Sequence, residues 1–271
     1  MSLTDVNKTL HKTSLLLSLL PKYPLEFYDR VRTILDVRLE KFWVRQPSYD
    51  SKTLHEAALE IGGLLGVAAS SYEDDVACNE IAAEVGRKAR EIAARAPFSL
   101  SHNADFTLAR MCYLACRMFR PRVVLETGVA YGVTSAFILK ALELNDEGVL
   151  HSVDLPPLGC DADQFVGILI PDRAKRRWRL HRGVSKRVLP SLLPQLGLVN
   201  IFVHDSLHTY SNILWELQMV APYLTQRCIV IADDIDGNHA FHDWATRVKP
   251  AFWTTVQEEK KESVFGVSVL L

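Results

Sequence analysis

Residues 123–135 read Val123-Val124-Leu125-Glu126-Thr127-Gly128-Val129-Ala130-Tyr131-Gly132-Val133-Thr134-Ser135. An apolar, β-branched run ends in a carboxylate, crosses two glycines and meets a Thr-Ser pair. Gly128 and Gly132 lack a Cβ, so the chain can turn sharply there and a ligand can approach its backbone. Thr134 and Ser135 then open a helix, whose free N–H groups and positive dipole end suit a carboxylate. A strand, a glycine turn and a helix in succession begin a nucleotide-type α/β sheet. A dinucleotide site calls for G-x-G-x-x-G, whereas this loop offers only Gly128 and Gly132. Glu126 would repel a pyrophosphate and suit a cation, such as the sulfonium and ammonium of S-adenosylmethionine. The glycines taken alone serve a plain tight turn equally well.

Asp154 follows Gly132 by 22 positions and ends the next β-type run, where a carboxylate can accept from both hydroxyls of a ribose. Further β-type runs occupy 122–125, 149–153, 178–181, 200–203 and 228–232. Between them the pattern turns helical at 134–143, 163–176, 186–196 and 210–224. Near-continuous apolar strands alternating with helices predict a parallel sheet covered on both faces. Right-handed crossovers then place every strand's carboxyl end on one side. The runs 251–257 and 264–270 are joined by Glu258-Glu259-Lys260-Lys261-Glu262-Ser263, too short for a crossover helix, so they pair antiparallel. The predicted fold is α/β: a Rossmann-like sheet, mostly parallel with a C-terminal antiparallel hairpin, as in class I methyltransferases.

The first hundred residues are different. Phe27, Val31, Ile34, Leu35, Leu39 and Phe42 follow the spacing of one helix face. Leu54, Ala58, Ile61 and Leu65 repeat it, as do Ile81, Val85, Ala89 and Ile92. The expected division is a helical region 1–100 and an α/β domain 101–271.

Composition removes several classes of function. The 271 residues carry 31 Lys and Arg against 32 Asp and Glu, so no global positive field attracts nucleic acid. No run approaches the roughly 20 apolar residues of a membrane span. Leu15-Leu16-Leu17-Ser18-Leu19-Leu20 is short and followed by Pro21 without a small-residue cleavage site, unlike a signal peptide. The five cysteines are odd in number, and Cys112 and Cys116 are helically spaced in an apolar run, which favours packed thiols over a disulfide scaffold. A cytoplasmic protein is expected.

Two further strand ends are acidic. Ile201-Phe202-Val203-His204 runs into Asp205, with His208 three residues on, and Ile229-Val230-Ile231-Ala232 runs into Asp233-Asp234. In a parallel sheet these groups face the same crevice as Gly128 and Asp154. Carboxylates converging there repel one another unless a cation or protons relieve them. A hard divalent ion such as Mg²⁺ takes oxygen ligands and keeps positions open for substrate. His208 then stands beside the metal as a base that titrates near neutrality. Helix capping is the bland role of each Asp by itself. His204, His151 and His181 lie within strands, and a structural role is expected for them.

These residues resemble the catechol O-methyltransferase-like group of class I methyltransferases, in particular its metal-dependent macrolide-sugar branch. The resemblance spans roughly 101–271 and rests on Glu126 to Thr134, Asp154, Gly183-Val184-Ser185 with Val188-Leu189-Pro190, Asp205-x-x-His208 and Asp233-Asp234. It implies that Glu126, Gly128, Ala130, Gly132 and Thr134 surround the methionine end of S-adenosylmethionine. Asp154 would hold the ribose, Val184 and Ser185 would border the adenine, and Asp205 would adjoin the cofactor. Asp205, Asp233 and Asp234 would bind Mg²⁺ or another divalent cation. His208 would be the base, where the catechol branch has a lysine; that branch also has Asn in the place of Asp234. Residues 101–105 are a candidate for reaching the cofactor. The implied activity is methyl transfer to a hydroxyl of a small, sugar-like or otherwise polyhydroxylated substrate. The resemblance also implies that domain 101–271 binds the cofactor and that region 1–100 covers the substrate or forms a dimer interface. The surface-rich helical half favours a homodimer. Three alternatives stay open: a metal-independent methyltransferase of the same fold, an NAD-dependent oxidoreductase, and a non-catalytic relative used in assembly.

Overall fold

The computed structural model describes residues 12–40, 47–69, 72, 75–100, 105–159, 162–259 and 263–271. Phe42, residues 101–104 and Cys160 lie outside the described residues.

Among the described residues, the helices ahead of the sheet include α1 (Pro24–Glu40), α2 (Leu54–Leu65) and α3 (Val76–Ile92). Then follow α4 (Phe106–Phe119), β1 (Val123–Thr127), α5 (Val133–Asn145), β2 (Val149–Asp154), β3 (Trp178–Arg182) and α6 (Ser185–Leu196). The chain ends with β4 (Val199–His204), α7 (Tyr210–Val220), β5 (Leu224–Ala232), α8 (Ala240–Val248), β6 (Phe252–Gln257) and β7 (Val264–Leu270). No described helix is long and apolar enough to cross a membrane.

The seven strands form one sheet in the order β3-β2-β1-β4-β5-β7-β6. β1 to β5 pair in parallel, and β7 runs antiparallel to both β5 and β6. The expected Rossmann-like methyltransferase sheet with its terminal hairpin is therefore what the chain forms. Strand pleating sends alternate side chains to opposite faces. Ile201, Ile229 and Ile231 pack with α2 to α5, while Phe202 and Val230 pack with α6 to α8. Burial on both sides is why these strands read as continuous apolar runs.

Local signals set the helix ends. Thr53 and Glu56 make a capping box on α2, and Asp105 accepts from the Thr107 N–H at 2.7 Å to cap α4. Ala57, Ile61, Ile81 and Val85, from α2 and α3, share one core with Val124 and Ile201, so no gap in packing separates them from the sheet. In contrast, α1 buries no residue; Leu35 and Leu39 of its apolar face are exposed.

Two helix expectations change. The helix expected over 163–176 is a single turn, Ala162–Phe165, then a bend and a 3₁₀ segment, Asp172–Arg177. Gly167, at φ +67°, and Pro171 interrupt it. The helix expected over 210–224 stops at Val220, because Pro222 cannot continue it and a 3₁₀ turn leads into β5. Cys112 and Cys116 are buried free thiols, as their spacing predicted.

Candidate functional site

Strand register places the acidic groups in one row. Thr127 pairs with Val153 and His204, and His204 pairs with Ala232. One residue further the ladder continues: Gly128 N–H donates to Val153 O at 2.9 Å, Asp205 N–H to Thr127 O at 2.8 Å and Asp233 N–H to His204 O at 2.8 Å. Asp154, Gly128, Asp205 and Asp233 thus stand abreast at the tips of β2, β1, β4 and β5. With strands about 4.8 Å apart, roughly 10 Å separates the backbones of Asp154 and Asp205, and Gly128 puts no side chain between them. A Cβ on Gly128, whose φ is +86°, would stand 1.7 Å from Asp205 O. Glycine is obligatory there.

The loop beyond is pinned by backbone hydrogen bonds and a ring stack. Gly128, Ala130 and Gly132 all have positive φ, at +86°, +48° and +91°. The middle left-handed position, glycine by steric preference, is filled by alanine. Counting glycines in the sequence therefore understates how the backbone turns. Gly167 N–H donates to Ala130 O at 3.1 Å and Leu169 N–H to Tyr131 O at 3.0 Å, tying down the loop. Tyr131 stacks on Phe98 with ring centroids 4.0 Å apart, and its hydroxyl donates to Phe98 O.

Glu126, expected at the methionine end of the cofactor, lies at the end of β1 beneath the loop. It is fully buried, and its Oε2 accepts from Ser135 Oγ at 2.6 Å and Ser152 Oγ at 2.7 Å. Burial, aided by the nearby Asp205 and Asp154, pushes its carboxyl up to about 8 against those hydroxyls. Glu126 braces the loop from beneath, because its pleat parity is that of Val124, toward α4 and α5. Thr134 is also buried, with no hydrogen-bond partner on Oγ1 among the described residues. Asp154 accepts weakly from Val129 N–H at 3.4 Å, and its buried Oδ2 has no hydrogen-bond partner among the described residues. Burial raises its carboxyl to about 7. Val184 and Ser185 lie where β3 passes into α6, but the Ser185 hydroxyl turns inward to Glu216.

Across the row, Asp205, His208 and Asp233 bring ligand atoms within 4.8 Å of one another, as do Asp233, Asp234 and Glu258. The predicted trio Asp205, Asp233 and Asp234 is therefore split between two groups that share Asp233. His208 joins the first and Glu258 the second. His208 Nδ1 lies 2.8 Å from Asp234 Oδ2, and its Nε2 lies 3.7 Å from Asp205 Oδ1 with no hydrogen-bond partner among the described residues. Burial opposes a charged imidazole, but Asp205, Asp234 and Asp233 overcome it and hold His208 well above its usual range. Asp233 is buried, and burial with the charges of Asp205, Asp234 and Glu258 raises its carboxyl well above normal, against the opposing pull of His208. Its Oδ1 has no hydrogen-bond partner among the described residues. A buried oxygen of this kind among further carboxylates fits a hard divalent cation, and the orphaned Asp154 Oδ2 fits a ribose diol.

Sequence reasoning missed Glu216, a fully buried carboxylate that supports the β4 tip. It accepts from Thr127 Oγ1 at 2.5 Å, Ser206 Oγ at 2.7 Å and Asn212 Nδ2 at 3.0 Å, and sits 2.6 Å from His204 Nδ1. Burial alone would raise its carboxyl, yet the His204 charge and these donors lower it to about 2. The sign was present: Glu216 falls on the same helix face as Ile213, Leu217 and Val220. Glu258 had no such sign, since it opens a charged turn. His204 is structural, and His151 Nδ1 simply meets His181 Nε2 at 3.1 Å in a stacked pair.

Helix α1 spans the rim above this row. Arg30 donates to Pro156 O at 2.9 Å, and Asp29 accepts two bonds from Arg187 at 2.6 and 2.7 Å. Glu26 pairs with Arg182, Asp36 with Lys186, and Glu40 accepts from the Tyr210 N–H. The helix is held by ion pairs rather than by a buried apolar face.

Residues 125–235 match a family described as a methyltransferase domain. No curated protein sequence matches the chain. Among solved structures, the chain is similar to an O-methyltransferase from Bacillus cereus bound to S-adenosylhomocysteine: TM-score 0.55, 13% identity, 80% of this chain and 97% of that one covered. It is also similar to the O-methyltransferase TomG of Streptomyces achromogenes in complex with S-adenosylmethionine, with TM-score 0.54, 15% identity and coverage of 79% and 96%. A methyltransferase from Geobacter sulfurreducens gives 0.51, 18% identity and coverage of 71% and 89%. At these identities the likeness is one of fold.

Proposed function

The chain is a class I S-adenosylmethionine-dependent methyltransferase, and from that premise we propose that it methylates a hydroxyl oxygen of a small polyhydroxylated, sugar-like substrate with the help of a divalent cation. The observation that carries this is the convergence of Asp205, His208, Asp233 and Asp234 beside the Gly128 gap in the row of strand tips. TomG and the Bacillus cereus enzyme, both O-methyltransferases crystallised with the cofactor or its product, support the choice of oxygen.

S-adenosylmethionine supplies an electrophilic methyl group, and a divalent cation, when bound, stabilises negative charge on the acceptor oxygen. The chain's own residues do the rest. Asp154 accepts from the ribose hydroxyls, while Val184 and Ser185 border the adenine. Gly128, Ala130, Gly132 and Thr134 surround the methionine end, braced from below by Glu126. Asp205 and Asp233 would carry most of the negative charge that holds the cation, with Asp234 adding to it from beside His208. Asp205, Asp233 and Asp234 keep the imidazole protonated while they carry open charge; with a cation offsetting that charge, His208 Nε2 would be free to take the acceptor's proton, the ring being fixed by Asp234 through Nδ1, 2.8 Å away. Helix α1 closes the rim as part of a substrate-covering region 1–100, over a cofactor-binding domain 101–271. Its exposed Leu25, Tyr28, Leu35 and Leu39 supply the apolar face for a homodimer.

Transfer of a labelled methyl group from S-adenosylmethionine to a panel of polyols, with and without thorough chelation, tests the proposal. His208→Ala should lower kcat by about 100-fold or more while S-adenosylhomocysteine affinity stays within about twofold. Equal losses in both, or transfer indifferent to chelation, would remove the base or the cation from the scheme.

A further inference from the structure

Four carboxylates crowd the tips of β4 and β5 and the β6–β7 hairpin, and they do not do the same work. Asp234 is engaged on both sides: Oδ2 meets His208 Nδ1 at 2.8 Å, and Oδ1 accepts from Ser263 Oγ. Its backbone is left-handed, at φ +47°, which aims the side chain at the imidazole. Such a carboxylate–imidazole contact fixes which ring nitrogen carries the proton. Asp233 differs. It is 1% exposed, and its Oδ1 has no hydrogen-bond partner among the described residues.

Glu258 approaches Asp233 from the far side. Its backbone N–H donates to Ser263 O at 3.0 Å, continuing the β6–β7 ladder by one residue. That pairing fixes its direction: the side chain turns inward and is 3% exposed, whereas the adjoining Glu259 is exposed. One carboxylate oxygen of Glu258 lies within 4.8 Å of oxygens on both Asp233 and Asp234. Like charges at such range repel strongly where water is scarce. An all-oxygen set is the donor chemistry of Mg²⁺, Mn²⁺ or Ca²⁺.

We propose that Glu258 is a ligand of the same divalent cation as Asp233, reaching it from the hairpin, while Asp234 acts chiefly by positioning His208. This rests on the metal-dependent reading of the site and names a residue outside the expected trio. The hairpin then does more than close the sheet: it delivers a carboxylate to the centre, and cation binding tethers the hairpin to the β5 tip.

The test is direct titration of the EDTA-stripped full-length protein with Mn²⁺, read by calorimetry and by loss of the free-ion paramagnetic resonance signal. Wild type should bind one equivalent. Glu258→Gln should weaken binding at least tenfold, Glu258→Asp less, and the exposed control Glu259→Gln not at all. Removing one of several like charges should leave the metal-free Glu258→Gln protein at least as heat-stable as wild type, with less stabilisation on adding Mn²⁺. Asp234→Asn should alter the pH profile of turnover more than Mn²⁺ affinity. Wild-type Mn²⁺ affinity in folded Glu258→Gln, or in Glu258→Asp should the amide variant not fold, overturns the assignment of Glu258 alone. No Mn²⁺ or Mg²⁺ binding by wild type overturns the metal-dependent reading and this assignment with it.

Discussion

Replacing Glu216 by Gln removes a charge and little volume from beneath the candidate site. Five donor groups converge on this carboxylate, from Thr127, Ser185, His204, Ser206 and Asn212. An amide has one acceptor oxygen, and its NH₂ would face donors. The lowering of the carboxyl from 4.5 to about 2 corresponds to about 3 kcal/mol of native-state stabilisation at neutral pH. The sign follows from the direction of the shift. A depressed carboxyl contributes its full stability above the unfolded value near 4.5 and loses it as pH falls toward 2. Urea unfolding of wild type and Glu216→Gln at a series of pH values should therefore show a gap of about 3 kcal/mol at pH 7. The gap should narrow steadily below about pH 4.5. Turnover should also fall, because Ser206, held by Glu216, adjoins Asp205. A gap that is absent, or constant from pH 7 to pH 2.5, would refute the ionised, donor-saturated description of Glu216.

Gly128→Ala should cost about 1 to 2 kcal/mol for the left-handed backbone, with a further penalty because its Cβ would meet Asp205 O; denaturant unfolding and S-adenosylhomocysteine calorimetry should both register large losses, and wild-type cofactor affinity would show that the loop does not adjoin the cofactor. Asp154→Asn should weaken cofactor binding at least tenfold and yet stabilise the free protein at alkaline pH. The raised carboxyl of Asp154 makes wild type lose stability as pH climbs from 3.8 to about 7, so the variant's advantage should be nil near pH 3.5 and reach at most about 4 kcal/mol by pH 8. Thermal unfolding across that range checks it, and no advantage at pH 8 would contradict burial as the cause.

The order of elements was legible because a sheet buried on both faces must be built from short apolar runs, and crossover helices must separate parallel strands. The charged turn after Gln257 was too short for such a helix, so the antiparallel hairpin followed from chain length alone. Strand ends were likewise visible as Asp154, Asp205 and Asp233, since acids do not continue an apolar run. The segment 163–176 was misread because helical periodicity carries no information on Gly167's positive φ.

Which side chains meet was settled only in three dimensions. Register, a property of paired strands, put Asp154, Gly128, Asp205 and Asp233 abreast. Pleat parity turned Glu126 under the loop, to two serine hydroxyls, where a sequence shows only a charge before a glycine. Asp234 and Asp233 are neighbours in the chain, but a left-handed backbone sends one to His208 and leaves the other beside Glu258, on a different hairpin. Sequence fixes the periodicities that choose strands and helices, because those depend on near neighbours. The partners of a buried charge come from distant segments, and only packing decides them.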